Sequence, residues 1–251
     1  MLSSPSVNSS LISKPEVTNQ CFSYNFNLNT ASIVEFNNTI KHIHIPIIVE
    51  KDWNKFNITE ISKEAFKNST IRTVHIPKDS YLLKIGFGAF NISLIAFISI
   101  PASVEEIDDE AFLECECLSK IIIPNDSHLK TIGKYALSLT KISEFTVPKH
   151  VTEIKEGTFD RCLDLTEIKF DEDSELKKIC NNAFRYSSLN KINIPKSVVK
   201  LEDGCFNASH LHYVNVESGN PIYKNLIIKN CQYHSKLPIS FKIANFIQTK
   251  Q

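Results

Sequence analysis

The sequence predicts an α/β solenoid: a curved right-handed superhelix of about eight coils, each with one short parallel strand and a short helical or 3-10 return turn. Three observations carry that expectation. An apolar pair of the Ala65-Phe66 type recurs as Ala89-Phe90, Ala111-Phe112, Ala136-Leu137, Thr158-Phe159, Ala183-Phe184 and Cys205-Phe206, at steps of 24, 22, 25, 22, 25 and 22 residues. Between the pairs stands a strand-like word closed by Pro, and the spacers alternate in length so that two coils make one 47-residue unit, 22 plus 25. A period in this range marks units that cannot bury their apolar side alone and find the missing half of the core in their neighbours.

The elements follow in chain order. Met1 to Val17 is Ser-rich, with a single Lys14 and no apolar run of signal-peptide length. Residues 1–30 are therefore expected to form a disordered or irregular leader. The solenoid is expected over 31–217, beginning with a degenerate first coil, Glu35-Phe36 and Ile40-Lys-His-Ile-His-Ile-Pro46, and an enlarged spacer that holds the only Trp, Trp53.

The strand words are Thr73-Val-His-Ile-Pro77, Phe97-Ile-Ser-Ile-Pro101, Lys120-Ile-Ile-Ile-Pro124, Glu144-Phe-Thr-Val-Pro148 and Lys191-Ile-Asn-Ile-Pro195. Alternation at period two sends Val74, Ile76, Ile98, Ile100, Ile121, Ile123, Phe145, Val147, Ile192 and Ile194 inward. Pro has no amide donor and ends the ladder. At Ile168-Lys-Phe170-Asp171 an Asp replaces Pro and makes the turn through its side chain.

The spacers take a short form, Ser103-Val-Glu-Glu-Ile107, and a long one, Asp126-Ser-His-Leu-Lys-Thr-Ile132. Each Phe then anchors a single turn, since about seven residues leave no room for a helix of ordinary length. Residues 218–251 are expected to form a hairpin cap and tail: Val216 to Tyr223 leads to Leu226-Ile-Ile228 with Gly219-Asn220 as the turn. Such a cap closes the open end of the stack.

A strand followed by a short return leg, repeated every 20 to 29 residues, is the leucine-rich-repeat pattern. The words Leu118-Ser-Lys-Ile-Ile-Ile-Pro124 and Ala111-Phe-Leu-Glu-Cys-Glu-Cys-Leu118 resemble the BspA-like leucine-rich repeats, and the Asp-Ser-x-Leu spacer is similar to that of the family's protist branch. The resemblance spans roughly residues 35 to 217. It departs from the pattern at Leu137, at Asp171, and in lacking the asparagine ladder of ordinary leucine-rich repeats. It implies a noncatalytic protein-binding module acting in surface adhesion or host and matrix interaction, with a protein or glycoprotein ligand. The alternative is an intracellular interaction scaffold of the same fold.

Composition narrows the function classes. With 28 basic against 28 acidic residues there is no global field to attract nucleic acid. The apolar end, Leu237 to Gln251, is cut by Lys242, Asn245 and Gln248, short of a membrane-spanning helix. Resemblance thus points to the cell surface, and the missing export and membrane signals point to the cytoplasm. Of seven Cys, Cys115 and Cys162 hold one repeat position and lie two coils apart, about 10 Å, beyond the reach of a disulfide. They read as buried small hydrophobes.

The outward strand residues form the candidate binding face, on the concave side: Thr73, His75, Phe97, Ser99, Lys120, Ile122, Glu144, Thr146, Glu167, Lys169, Lys191, Asn193 and Tyr213, with His42, His44 and Asn215 extending the rows. Phe97 beside Ile122 is an exposed apolar spot among charged neighbours. Two of His42, His44 and His75 could reach one metal, but no third ligand is apparent, so neither a metal site nor a cofactor is expected. No nucleophile elbow, phosphate loop or zincin word occurs, and six Gly leave little material for a phosphate cradle. Asn-x-Ser/Thr words stand at Asn8, Asn37, Asn57, Asn68, Asn91, Asn125 and Asn207.

Overall fold

The computed structural model describes residues 21–36, 40–217 and 220–222, and the backbone of 240–244. In its first part lie β1 (Phe22–Asn27), β2 (Thr30–Phe36), β3 (His42–His44), β4 (Ile48–Lys51), β5 (Asn54–Ile61), β6 (Thr73–His75), β7 (Lys84–Ile85), β8 (Phe97–Ser99), β9 (Glu106–Ile107) and β10 (Lys120–Ile122). There follow β11 (Thr131–Ile132), β12 (Glu144–Val147), β13 (Glu153–Ile154), β14 (Glu167–Phe170), β15 (Lys178–Ile179), β16 (Lys191–Ile194), β17 (Lys200–Leu201), β18 (Tyr213–Glu217) and β19 (Ser240–Ala244).

Each coil has three sides. The Pro-terminated words stack in parallel as β3-β6-β8-β10, β12-β14 and β16-β18-β19. The ends of the spacers form a second parallel face, β5-β7-β9-β11 and β13-β15-β17, where a single strand per coil was expected. Apart from β5, these second strands are two residues long, held by backbone bonds to the preceding coil such as Leu83 N to Thr59 O, Gly86 N to Ile61 O, Glu105 N to Leu83 O and Asp108 N to Ile85 O.

The third side carries the aromatic landmarks. Phe66, Phe90 and Phe112 are fully buried and stack nearly parallel, with centroids 4.9 and 5.2 Å apart. Phe159, Phe184 and Phe206 repeat this at 5.2 and 5.5 Å. Leu137 interrupts the spine, and beyond it Phe145 of β12 packs edge-on against Phe159 at 5.1 Å. Such offset and edge-on pairs each add about 0.5–1.5 kcal/mol to the area they bury.

The backbone around each Phe is neither α-helical nor 3-10, unlike the helical return turns expected. The residues two before and two after the Phe adopt positive φ, for example Glu64 (57°) and Asn68 (56°), Glu110 (59°) and Glu114 (57°), and Gly157 (62°) and Arg161 (57°). Alternating handedness points alternate N–H groups out of the coil: Gly88, Phe90 and Ile92 donate to Asp109, Ala111 and Leu113 of the next, while Ala89, Asn91 and Ser93 close turns within their own coil. Every inter-coil bond in this stretch runs from the earlier coil to the later one. A helical turn satisfies its own backbone; this turn satisfies its neighbour's.

Most inward residues are buried as expected, but Ile121 and Ile123 are only half-buried. They lie beside the break where β10 and β12 do not pair. At the second break, between β14 and β16, a cavity of about 700 Å³ opens against Lys149, Phe170, Asp171, Asn193 and Ser197. Asp171 does make the turn in place of Pro, its Oδ1 accepting from Asp173 N at 3.0 Å.

Residues 1–20 lie outside those described, but 21–30 are not irregular. β1 and β2 form an antiparallel hairpin, β2 runs parallel to β5, and Phe22 and Phe36 close over Phe66 at 6.1 and 5.4 Å. Burying the end of the spine orders this segment. The enlarged spacer is a second hairpin, β4-β5, turning at Asp52 and Trp53 with φ of 50° and 66°; Trp53 is fully exposed at its tip. At the other end β19 extends the first face in parallel with β18, and Asn220 Nδ2 donates to Pro195 O at 2.9 Å. The expected hairpin from Val216 to Ile228 falls mostly outside the described residues.

Candidate functional site

Pairing across the first face sets the expected rows in register. His42 lies opposite Thr73, Thr73 opposite Phe97 and Phe97 opposite Lys120; in the other row His44 faces His75 and Ser99 faces Ile122. Beyond the breaks Glu144 faces Glu167, Thr146 faces Lys169, Lys191 faces Tyr213 and Asn193 faces Asn215. All are exposed except Thr73, Phe97, Ser99 and Asn215, which are half-buried. The rows are interrupted between β10 and β12 and between β14 and β16, so Lys120 and Glu144, or Glu167 and Lys191, are not ladder partners.

Polar contacts along the face are few. Lys169 Nζ bridges Glu144 and Glu167 at 3.1 Å each, and these carboxylates hold its pKa above the usual lysine range. Asn215 Nδ2 donates to Asn193 Oδ1 at 2.7 Å. His42 Nδ1 lies 2.7 Å from Thr73 Oγ1, and the Nδ1 atoms of His44 and His75 lie 3.2 Å apart. Among the described residues Lys120 and Lys191 make no ion pair. Ile122 is 41% exposed beside the half-buried Phe97.

The second face is the opposite case, and sequence reading missed it. Lys178 Nζ binds Glu153 and Glu202 at 2.8 and 3.0 Å, and Lys84 Nζ binds Glu106 and Asp108 at 3.3 and 2.9 Å. Lys130 pairs with Glu105 at 2.6 Å and Lys134 with Glu156 at 3.3 Å. Hydrogen bonds from Lys178 and from the Asn181 amide hold the Glu202 carboxyl down at about 2. Lys178 is raised in turn, chiefly by Glu153. These partners stand one coil apart in sequence, so charge recurring at the coil period was the available signal.

The turn side carries one further cluster. Buried Asp160 takes a bidentate pair from Arg185 at 2.9 and 2.6 Å, and the Arg161 and Arg185 guanidinium groups lie 5.1 and 5.6 Å from the Tyr186 ring centre. Of the glycosylation words, Asn68, Asn125 and Asn207 are exposed, Asn57 is half-buried and Asn91 is buried; Asn8 and Asn37 lie outside the described residues. Cys115 and Cys162 are buried thiols donating to Phe90 O and Leu137 O at 3.0 Å, and burial pushes both up to about 12. No helix among the described residues is long and apolar enough to cross a membrane.

A family model described as the BspA type leucine rich repeat region matches the chain in six copies, over residues 15–138, 48–166 and 130–249. Comparison with curated proteins returns no match. Among solved structures, a leucine rich cell surface protein from Faecalibacterium prausnitzii A2-165 is 20% identical over 79% of this chain and 54% of its own, with a TM-score of 0.57. The pneumococcal vaccine antigen PcpA is 23% identical over 80% of this chain and 49% of its own, with a TM-score of 0.57. The T. pallidum leucine rich repeat protein TpLRR is 19% identical over 89% of this chain and 98% of its own, with a TM-score of 0.61. The chain spans about half the length of the first two, and at these identities the likeness is one of fold.

Proposed function

The chain belongs to the BspA-type leucine-rich-repeat family, and on that footing we propose that it is a noncatalytic interaction module whose first sheet face binds a protein or glycoprotein. One contrast carries this reading. On the second face most charges are matched by a partner one coil away, whereas the first face presents Phe97 and Ile122 beside Lys120, which makes no ion pair among the described residues. A face whose charges already satisfy one another gains little from a partner. An apolar spot beside an unpaired cation gains from burial and from a new ion pair.

The module acts at the cell surface in adhesion. The names of two structural neighbours, a cell surface protein and a vaccine antigen, support that setting. Cys115 and Cys162, buried thiols that each donate to a backbone carbonyl, favour a second reading, an interaction scaffold of the same fold inside the cell. Proteolysis of intact cells separates the two: surface adhesion requires the tagged protein to be cleaved while a cytosolic control survives, and protection rules it out.

For the face itself, a Phe97→Ala plus Ile122→Ser variant keeps its unfolding transition, because neither side chain is fully buried. It should lose capture of surface proteins from the cells or matrix that the unaltered protein retains. Undiminished capture by the folded variant would move the site to the turn side.

A further inference from the structure

We infer that His44 and His75 form a two-histidine binding site for a late first-row divalent cation such as Zn²⁺, Cu²⁺ or Ni²⁺. The pair stands at the N-terminal end of the first face, on adjacent strands β3 and β6, and parallel register sets the two residues directly opposite each other. Both are exposed. Their rings are inclined by 49° with centroids 4.8 Å apart, and the two Nδ1 atoms converge to 3.2 Å.

That separation is the informative number. Zinc binds imidazole nitrogen at about 2.0–2.1 Å in tetrahedral geometry, which sets two ligand nitrogens about 3.3–3.4 Å apart. The pair already spans one edge of such a tetrahedron to within about 0.2 Å. The ladder fixes the two backbones on neighbouring rungs, so binding has only the side-chain rotamers of the pair left to order.

Among the described residues no third His, Cys, Asp or Glu joins the pair. The cation therefore retains two or more positions for water, or for an imidazole or carboxylate of a bound molecule. Imidazole ligands favour the later divalent metals over Mg²⁺ and Ca²⁺. His42 is not part of the site. It points into the other row and holds the Thr73 hydroxyl at 2.7 Å, which makes it an internal control.

A direct hydrogen bond between neutral tautomers, one Nδ1–H donating to the other Nδ1, accounts for the same distance without a metal. Titration of the full chain with ZnCl₂ alone decides between them. His44→Gln and His75→Gln should each weaken one binding event at least tenfold, His42→Gln should leave it within about twofold, and thermal melts confirm that all three fold. Zinc bound elsewhere contributes equally to every isotherm. In ¹⁵N-labelled protein, Zn²⁺ should move the Nδ1 resonances of two histidines, leaving their Nε2 protonated, and both signals should vanish from the titration in the His44→Gln and His75→Gln variants. Equal binding by wild type and the two variants, or unmoved Nδ1 resonances, overturns the site. This test needs no partner, so its outcome is independent of whether the face binds a macromolecule.

Discussion

Phe90 is the most informative position at which to cut the aromatic spine. It is fully buried and lies between two parallel rings, Phe66 at 4.9 Å and Phe112 at 5.2 Å. Phe90→Ala removes a buried ring and leaves a cavity, at a cost of about 3–5 kcal/mol. Phe90→Leu fills most of that space, as Leu137 does natively in the same row. It forfeits two ring–ring contacts and should cost about 1–2 kcal/mol. With a urea slope of about 2 kcal/mol/M, the midpoints should fall by about 1.5–2.5 M and 0.5–1 M respectively. Equilibrium urea unfolding followed by circular dichroism measures both. A loss under about 1 kcal/mol for the Ala variant, or equal losses for the two, would refute the stacked spine as the source of coil-to-coil cohesion.

Two further outcomes follow from the charges and thiols. The folded Glu202 pKa, about 2, lies below its ordinary 4.5, so its contribution is present above about pH 4.5 and lost as pH falls towards 2. Glu202→Gln should therefore be destabilised by on the order of 1 kcal/mol at pH 7, the screened value for a partly exposed pair, with the gap shrinking as pH falls from about 4.5 and vanishing below about 2; a gap that stays constant across that window defeats the assignment. In native protein at pH 8, iodoacetamide should modify half-exposed Cys117, which accepts a hydrogen bond from Arg72 at 3.4 Å, and spare Cys115 and Cys162. Peptide mapping that finds Cys162 alkylated before unfolding would show that its coil opens.

What the sequence made legible was whatever recurs as side-chain chemistry. The Phe row recurs because one shape must stack on itself, and Pro77, Pro101, Pro124, Pro148 and Pro195 carry the phase of each strand, so the outward rows came out in true register. The second strands escaped because two residues such as Glu153-Ile154 show no alternation. The turn geometry escaped because it is a property of backbone φ: Ile92, Leu139 and Tyr186 all occupy positive φ near 57°, and none of these residue types advertises it. The stacked backbone bonds hold them there. β1 did leave a mark, the alternation of Phe22, Tyr24 and Phe26, masked by the Ser-rich segment before it. On the face, the approach of His44 to His75 was visible as neighbouring rungs, but the convergence of their Nδ1 atoms depends on rotamers. The ion pairs of Lys178 needed a search for charge at the coil period.

The one-way run of bonds through the Phe turns gives the stack a polarity, like that of a filament with unlike ends. On this side each coil offers amide hydrogens to its successor and carbonyl oxygens to its predecessor, so over the Phe turns the two terminal lids cannot be exchanged: one must cover acceptors, the other donors. Coils can be duplicated, deleted or grafted between such chains without changing this grammar, provided they keep their orientation and travel in pairs that preserve the alternation of short and long spacers. A 47-residue insertion in phase should lengthen the rod. An inverted segment would meet like groups at both seams and break it.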